Sequence, residues 1–414
     1  MGITMRIIIK ECRKIFDIRI ILILLVFTFL SYMGMELKYY PSGGQCTDSK
    51  YDIPYMASLV EKLGGTLSLK DWGKLEKEAE PLRREKEKAY EEKITKSKIL
   101  ESAAVKNYND MKKMQDALTE AEAKGTLSKN EEKIFEEMER IDNEIIFHEK
   151  EKICFELQAL ENMMSYKGHY YGVSKTSVKE MEKDWKRDGT KLYARAMKER
   201  VTKTYISLLP EGVMYILSAD MQTMAKRMLI GFFVLIIPYQ IRERMRGVTS
   251  LSATTYTGRK VFLKQLFASI LSCLFVGIIW LLSYLGIFLW KGLGTFFSCP
   301  AGTYAFNNYW ADDISFGAYM AVYMGLVLLA GVASVVIIWL VGRLAVNYIA
   351  GIALSIPVGG FLIYWSSIWF MELFAFYTET SVPLWELWAV CSWVVVVCIV
   401  AFFRLLYDKR RDIV

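Results

Sequence analysis

Residues 228–246 read Met-Leu-Ile-Gly-Phe-Phe-Val-Leu-Ile-Ile-Pro-Tyr-Gln-Ile-Arg-Glu-Arg-Met-Arg. Fourteen uncharged residues end abruptly in three arginines and a glutamate within five positions. Apolar side chains in such a run satisfy a hydrocarbon environment, and clustered arginines halt a span at one face of a bilayer. Lys226 and Arg227 stand just upstream, inside the window that a full span needs. A span over 221–241 therefore predicts that both side chains snorkel to the interface, or that the helix is short and tilted.

The rest of the chain repeats the pattern. It has 414 residues, 53% of them hydrophobic, and a mean hydropathy of +0.21. The charge is unevenly placed. Residues 36–226 hold 35 acids and 34 bases, while the remaining residues hold 10 acids and 18 bases. That distribution excludes an ordinary soluble enzyme, and a nucleic-acid binder whose basic charge lies in a soluble domain. Apolar windows of about 20 residues fall at 18–35, 221–241, 262–290, 314–341, 346–365 and 383–407. The fold expected is an all-α membrane protein of six transmembrane helices with one large polar insert, residues 36–220.

Orientation follows from short-loop charge. One set of short segments holds Arg6, Lys10, Arg13, Lys14 and Arg19, then Arg242 to Lys264, then Arg343, then Arg404 to Arg411. The opposite short loops hold Lys291 against Asp312, Asp313, Glu372, Glu379 and Glu386. The positive-inside rule then puts both termini in the cytoplasm, the insert outside, and the protein in the cell membrane as a multi-pass chain. Basic residues followed by the apolar run 20–35, with no small-residue cleavage site, read as a retained signal anchor. Trp290, Trp310, Trp365, Trp369, Trp385 and Trp388 read as an interfacial belt rather than a ligand cage.

The insert is rich in Glu, Lys, Ala, Leu and Met from 71 to 164, with Pro81 the one proline there. That composition predicts long helices. Ile134, Met138, Ile141, Ile145 and His148 are spaced 4, 3, 4, 3, which makes His148 a core position. Ile146, Lys150, Ile153, Leu157, Leu160 and Met164 continue on a shifted seam, and Ala104, Tyr108, Met111, Met114 and Leu118 form a similar stripe upstream. Gly125 can stop one helix, and Ser128 with Glu131 makes a capping box that starts the next. The expectation is an extracellular, coiled-coil-like helical hairpin over 71–164, its second helix one run of about 55 Å. Further helices are expected at 52–63 and about 177–206, and a loop at 166–172.

Seven cysteines and two histidines, His148 and His169, offer no zinc-ligand spacing, so no metal site is expected. Cys391 and Cys398 read as small apolar residues of a span. Cys46 and Cys154 share the insert, and the sequence leaves open whether they form a disulfide. No paired carboxylates or relay point to catalysis, and no mid-span ionisable residue besides Arg227 points to ion coupling.

The turn after the second span carries the functional signal. Glu243, Gly247, Leu251, Thr254 or Thr255, Arg259 and Lys264 follow one another in an order that resembles the first cytoplasmic loop of ABC-2 type permeases. Thr-Tyr-Thr-Gly258-Arg259 is close to the turn of the clostridial-type branch, without a proline. Residues 1–17, with Ile8, Cys12, Ile15 and Phe16 on one face, resemble that family's amphipathic elbow helix. Residues 366–382 lie where it places short re-entrant helices. A merely basic, lipid-facing turn accounts for the charge but not for Glu243 and the glycine pattern.

The resemblance implies a permease subunit, not itself an enzyme, acting as a homodimer or as a heterodimer with a second permease. Its coupling loop, 242–261 and on to Lys264, would dock cytoplasmic ABC ATPase subunits through Glu243, Arg244, Arg246, Gly247, Leu251, Thr254, Thr255, Gly258, Arg259 and Lys264. No G-x-x-x-x-G-K-[ST] occurs in the chain, so ATP and Mg belong to that partner and this chain binds no cofactor. Gly351, Ser355 and Gly359 form a small-residue helix-packing stripe beside Pro357, a candidate contact within the bundle or between the two permeases. By analogy the cargo is a lipid, peptide or amphipathic compound such as an antimicrobial peptide, with membrane lipid the surrounding partner and no nucleic acid. Two other readings stay open. One is an ATP-driven protein that moves the hairpin without transport. The other is an ATPase-independent envelope protein resembling the phage-infection-protein family.

Overall fold

A computed structural model describes residues 3–35, 51–165, 175–188, 198, 205–246, 256–301, 314–345, 347–372 and 385–410. Almost all of them are helical. α1 (Ile3–Ile15) and α2 (Ile18–Tyr32) meet at a 61° bend. Asp17 makes the bend: its backbone is extended, and its carboxylate accepts from the Arg19 N–H at 3.0 Å, capping α2.

The membrane-type helices are α10 (Glu211–Met245), α11 (Tyr256–Trp290), α12 (Phe316–Leu344), α13 (Tyr348–Glu372) and α14 (Trp385–Arg410). The first four of these are long and apolar enough to cross a bilayer, and α1–α2 makes a fifth if the bent pair is one span. In α14 the apolar helix stretch is Val390–Val400. The chain is thus an all-α membrane protein in its bundle. α10 lies at the centre, packed on α12 and α13 and also on α2 and α11.

Two boundaries differ from the sequence reading. α10 begins ten residues before 221, because Leu208, Leu209 and Val213 are fully buried and continue the core upward. α11 begins at Tyr256, so Gly258 and Arg259 are helical rather than part of a returning turn. The expected re-entrant segment is helical in α13 up to Glu372, and 373–384 lie outside the described residues.

The insert contains α3 (Asp52–Leu63), α4 (Gly73–Lys96), α5 (Lys98–Ser102), α6 (Tyr108–Ala123), α7 (Lys129–Glu144), α8 (Glu151–Ser165) and α9 (Lys175–Asp188). α4 packs on α8 and α6 on α7, an antiparallel hairpin turning at Gly125, whose φ of +65° suits glycine. The Ser128–Glu131 capping box is formed. The descending arm is not one α-helix. Ile145–Glu149 is a π-helical turn between α7 and α8. A π turn inserts an extra residue, which explains the shifted seam after Ile145. It also turns His148 outward, so His148 is exposed rather than a core residue. The ascending arm breaks at Ser97, which caps α5, and at Ala104, which has a φ of +60° and lies off the stripe.

Two cores result. One in the distal hairpin gathers Tyr90, Leu100, Met111, Met138, Ile141 and Ile145. The other runs without interruption from the insert base (Ile53, Leu59, Leu157, Leu160) into the bundle. At that base, β1 (Thr66–Ser68) pairs antiparallel with β2 (Tyr205–Ser207), so Ile206 is strand rather than helix. Ser207 Oγ donates to Pro300 O at 2.7 Å, and a Cβ on Gly65 would stand 3.0 Å from Cys299 backbone atoms. The insert is thereby stitched to the α11–α12 connection. Cys154 is a buried free thiol, and Cys46 lies outside the described residues.

Candidate functional site

α10 links the insert base to the basic turn. Its 35 residues span about 52 Å at 1.5 Å per residue. Pro238 sits two turns from its end, where the missing N–H weakens the ladder. Just beyond it, three side chains of α10 meet the α1–α2 elbow. The Tyr239 hydroxyl donates to Glu11 Oε2 at 2.5 Å. Arg242 Nη1 donates to Asp17 Oδ2 at 2.6 Å, and its Nη2 to the Lys14 carbonyl. Lys14 Nζ bridges Glu11 Oε1 at 2.9 Å and Glu243 Oε2 at 3.2 Å.

The electrostatics follow from this crowding. Burial pulls the Lys14 ammonium down, but Glu11 and Glu243 together outweigh it and hold the group above its usual range. The Arg19 backbone N–H and the Arg242 guanidinium hold the Asp17 carboxyl below its usual range. Glu243 is only 3% exposed. Of the docking residues whose burial is described, Glu243, Arg244, Arg246 and Lys264, it is the one the fold turns inward.

Arg244 Nη1 donates to the carbonyls of Arg343 (2.8 Å) and Ala345 (3.1 Å), so it caps the end of α12. Arg343 lies 4.1 Å over the Phe262 ring and 4.8 Å over Trp339. Arg246 is exposed and Lys264 partly so. Gly247, Leu251, Thr254 and Thr255 lie outside the described residues, and Gly258 and Arg259 form the first turn of α11. The fold therefore brings Glu243, Arg244 and Arg246 to one end of α10 but gives each a different job. In the small-residue stripe, Gly351 lies against Ile241 and Ile237 and Gly359 against Phe233, so both pack within the chain on α10. Ser355 Oγ donates to the Gly351 carbonyl of its own helix.

Higher on α10, Arg227 does not snorkel. It is 4% exposed, and its Nη2 donates to the Thr28 carbonyl at 3.1 Å. Its guanidinium lies 5.8 Å from the Trp280 ring, whose Nε1 donates to Thr28 Oγ1 at 2.9 Å. One arginine thus ties α2, α10 and α11 together inside the bundle. Asp220, seven residues earlier, is fully buried near Tyr284 and Lys291. Sequence reasoning missed it because the span was started at 221. The signal was the i, i+7 spacing to Arg227, which puts both on one helix face.

Between α10, α12, α13 and α14 lies a cavity of about 20 Å³ lined by Ala225, Leu229, Gly331, Ser334, Trp365 and Trp393. That volume holds one water and no solute. Ser334 Oγ accepts from Trp393 Nε1 at 3.3 Å and donates to the Ala330 carbonyl. Among the described residues no cluster of acids, histidines and cysteines could hold a metal. Compared with known proteins, the chain matches no family model, no curated relative and no solved structure.

Proposed function

We propose that this chain is the membrane-spanning subunit of a transporter driven by separate ATPase subunits, as its resemblance to ABC-2 permeases implies. In this reading it crosses the membrane six times, with α2, α10, α11, α12, α13 and α14 as the spans. Both termini are cytoplasmic and 36–220 is extracellular. The observation that carries the reading is α10. It is one helix from the insert base to the basic turn, gripped at that turn by the elbow through Glu11, Lys14 and Asp17. A push on Arg246 and the turn beyond it would move elbow and α10 as one body. The cargo is an amphipathic compound, and two permeases form the working dimer.

The ATPase touches the exposed side of the turn, with Arg246 and Lys264 within its reach, while Glu243 acts from behind by fixing α10 to α1. The test is affinity purification of the full-length tagged chain from its own membranes. A cytoplasmic ATPase retained by the wild type and lost from Arg246→Glu supports the reading. Labelling of a cysteine placed at Arg246 by an impermeant reagent outside intact cells overturns it.

A second reading is favoured by the continuous core between insert and bundle and by the small size, about 20 Å³, of the cavity between the four packed helices. Here ATP-driven motion swings the hairpin and nothing crosses the bilayer. Solvent labelling along α10 and α13 during ATP turnover separates the two. Labelling that advances through both helices favours transport, and labelling confined to their ends favours motion alone.

A further inference from the structure

The charges of α1 are sorted by face. Glu11 points inward, pairs with Lys14 and accepts a hydrogen bond from the Tyr239 hydroxyl. Ile8, Glu11, Cys12 and Ile15 make the side that meets the bundle. Arg6, Lys10 and Arg13 are all exposed and form no ion pair with a described residue. Their i, i+4, i+7 spacing makes one basic stripe opposite the docked face. Exposed Met5 and Ile9 flank that stripe. Arg19, exposed in the first turn of α2, extends the positive charge past the bend. Beyond it α2 turns Leu22, Ile23, Leu25, Val26, Phe29 and Leu30 outward, an apolar surface that belongs in hydrocarbon. The stripe therefore lies at the level where hydrocarbon ends.

We propose that the outer face of α1 is a binding surface for anionic phospholipid headgroups, with Arg6, Lys10 and Arg13 as the recognising residues. Met5 and Ile9 enter the acyl boundary while the three cations meet the phosphates. Lys14 of the same helix holds Glu243, and Asp17 at the bend just after it holds Arg242, so headgroup binding clamps the elbow onto the end of α10. The inference needs only that the chain spans a membrane. It stands or falls separately from the ATPase reading.

The test uses the full-length protein, without any ATPase, in nanodiscs of phosphatidylcholine alone or phosphatidylcholine with phosphatidylglycerol. Amide hydrogen exchange over residues 5–15 is the readout. The anionic lipid is expected to slow exchange there, and high salt to erase the difference. R6Q/K10Q/R13Q should lose the difference, by roughly five-fold per cation removed, while matching the wild type in phosphatidylcholine. R6K/R13K, which keeps the charge, should retain it. Equal exchange of the wild type in the two lipids overturns the proposal, as does a difference that survives high salt. A glutamine variant that keeps its lipid response also overturns it. If the glutamine variant does not fold, the wild-type lipid and salt comparison decides alone.

Discussion

The hairpin and the foot of α10 both rely on ion pairs, but of opposite kinds. In the hairpin many pairs are local and wet: Lys124 with Glu120, Arg84 with Glu80, Arg140 with Glu137. Water screens them, and each adds little. At the foot of α10 the partners stand 225 to 229 residues apart, and the acids Glu11 and Glu243 are buried. There, Lys14 is the shared cation of two buried carboxylates, and removing it leaves both without that counter-charge. The same residue types thus maintain solubility in one region and hold two elements together in the other.

The contrast can be broken most directly at Glu243. Glu243→Ala should cost about 2–4 kcal/mol of stability, discounted from a fully buried pair because Lys14 is partly exposed, read as a loss of denaturation midpoint in detergent. Lys14→Met should cost at least as much, since it leaves the buried carboxylates of Glu11 and Glu243 without their shared cation. If Glu243→Ala is neutral, the two regions do not differ as argued. Gly231→Ala comes next. Its Cβ would stand 2.2 Å from the Trp280 ring, and overpacking of this kind costs about 1–3 kcal/mol. A lowered midpoint and altered Trp fluorescence are the expected signs.

Tyr239→Phe removes the donor to Glu11 Oε2 and should cost about 1–3 kcal/mol, with faster exchange of α1 amides. Gly125→Ala at the hairpin tip should cost about 1 kcal/mol for its left-handed backbone, confined to exchange in α6 and α7. Glu120→Gln, in a screened pair, should change stability by about 0.5 kcal/mol or less.

Acid sharpens the comparison last. Arg140 first, and then Ser97 against the pull of burial, hold Glu137 below the usual carboxylate range, and Lys93 does the same for Glu144. A depressed folded-state pKa gives stability that is present above the unfolded value, about 4.3, and lost as pH falls through the folded one. Hairpin amides should therefore lose protection progressively below about pH 4.3. The Cys154 thiol, raised by burial, should resist alkylation until they do.

The helices were legible where local chemistry acts alone. Gly125, the Ser128–Glu131 box and the 52–63 helix needed only neighbours a turn apart. The π turn at 145–149 was visible only as a slip of one residue in the apolar seam, and the slip alone could not say that His148 would be expelled. The candidate site was half legible. That Arg244 and Arg246 stand at the end of a long apolar helix was legible because basic charge at a span end is a one-dimensional signal. The place of Glu243 was legible too, but its inward direction was not, because nothing near it in the chain announces Lys14. Arg227 was misjudged for the same reason: its partners, Thr28 and Trp280, come from two other helices.

By itself the sequence determined that this chain crosses a membrane on helices and carries a polar helical hairpin. Hydrocarbon and water each select composition over windows of a few turns, and such windows lie along the chain. Only the tertiary structure decided which charges are buried against one another and which stay exposed. Whether a carboxylate is buried beside an ammonium or open to water depends on packing between residues hundreds of positions apart. That distance leaves no periodic trace.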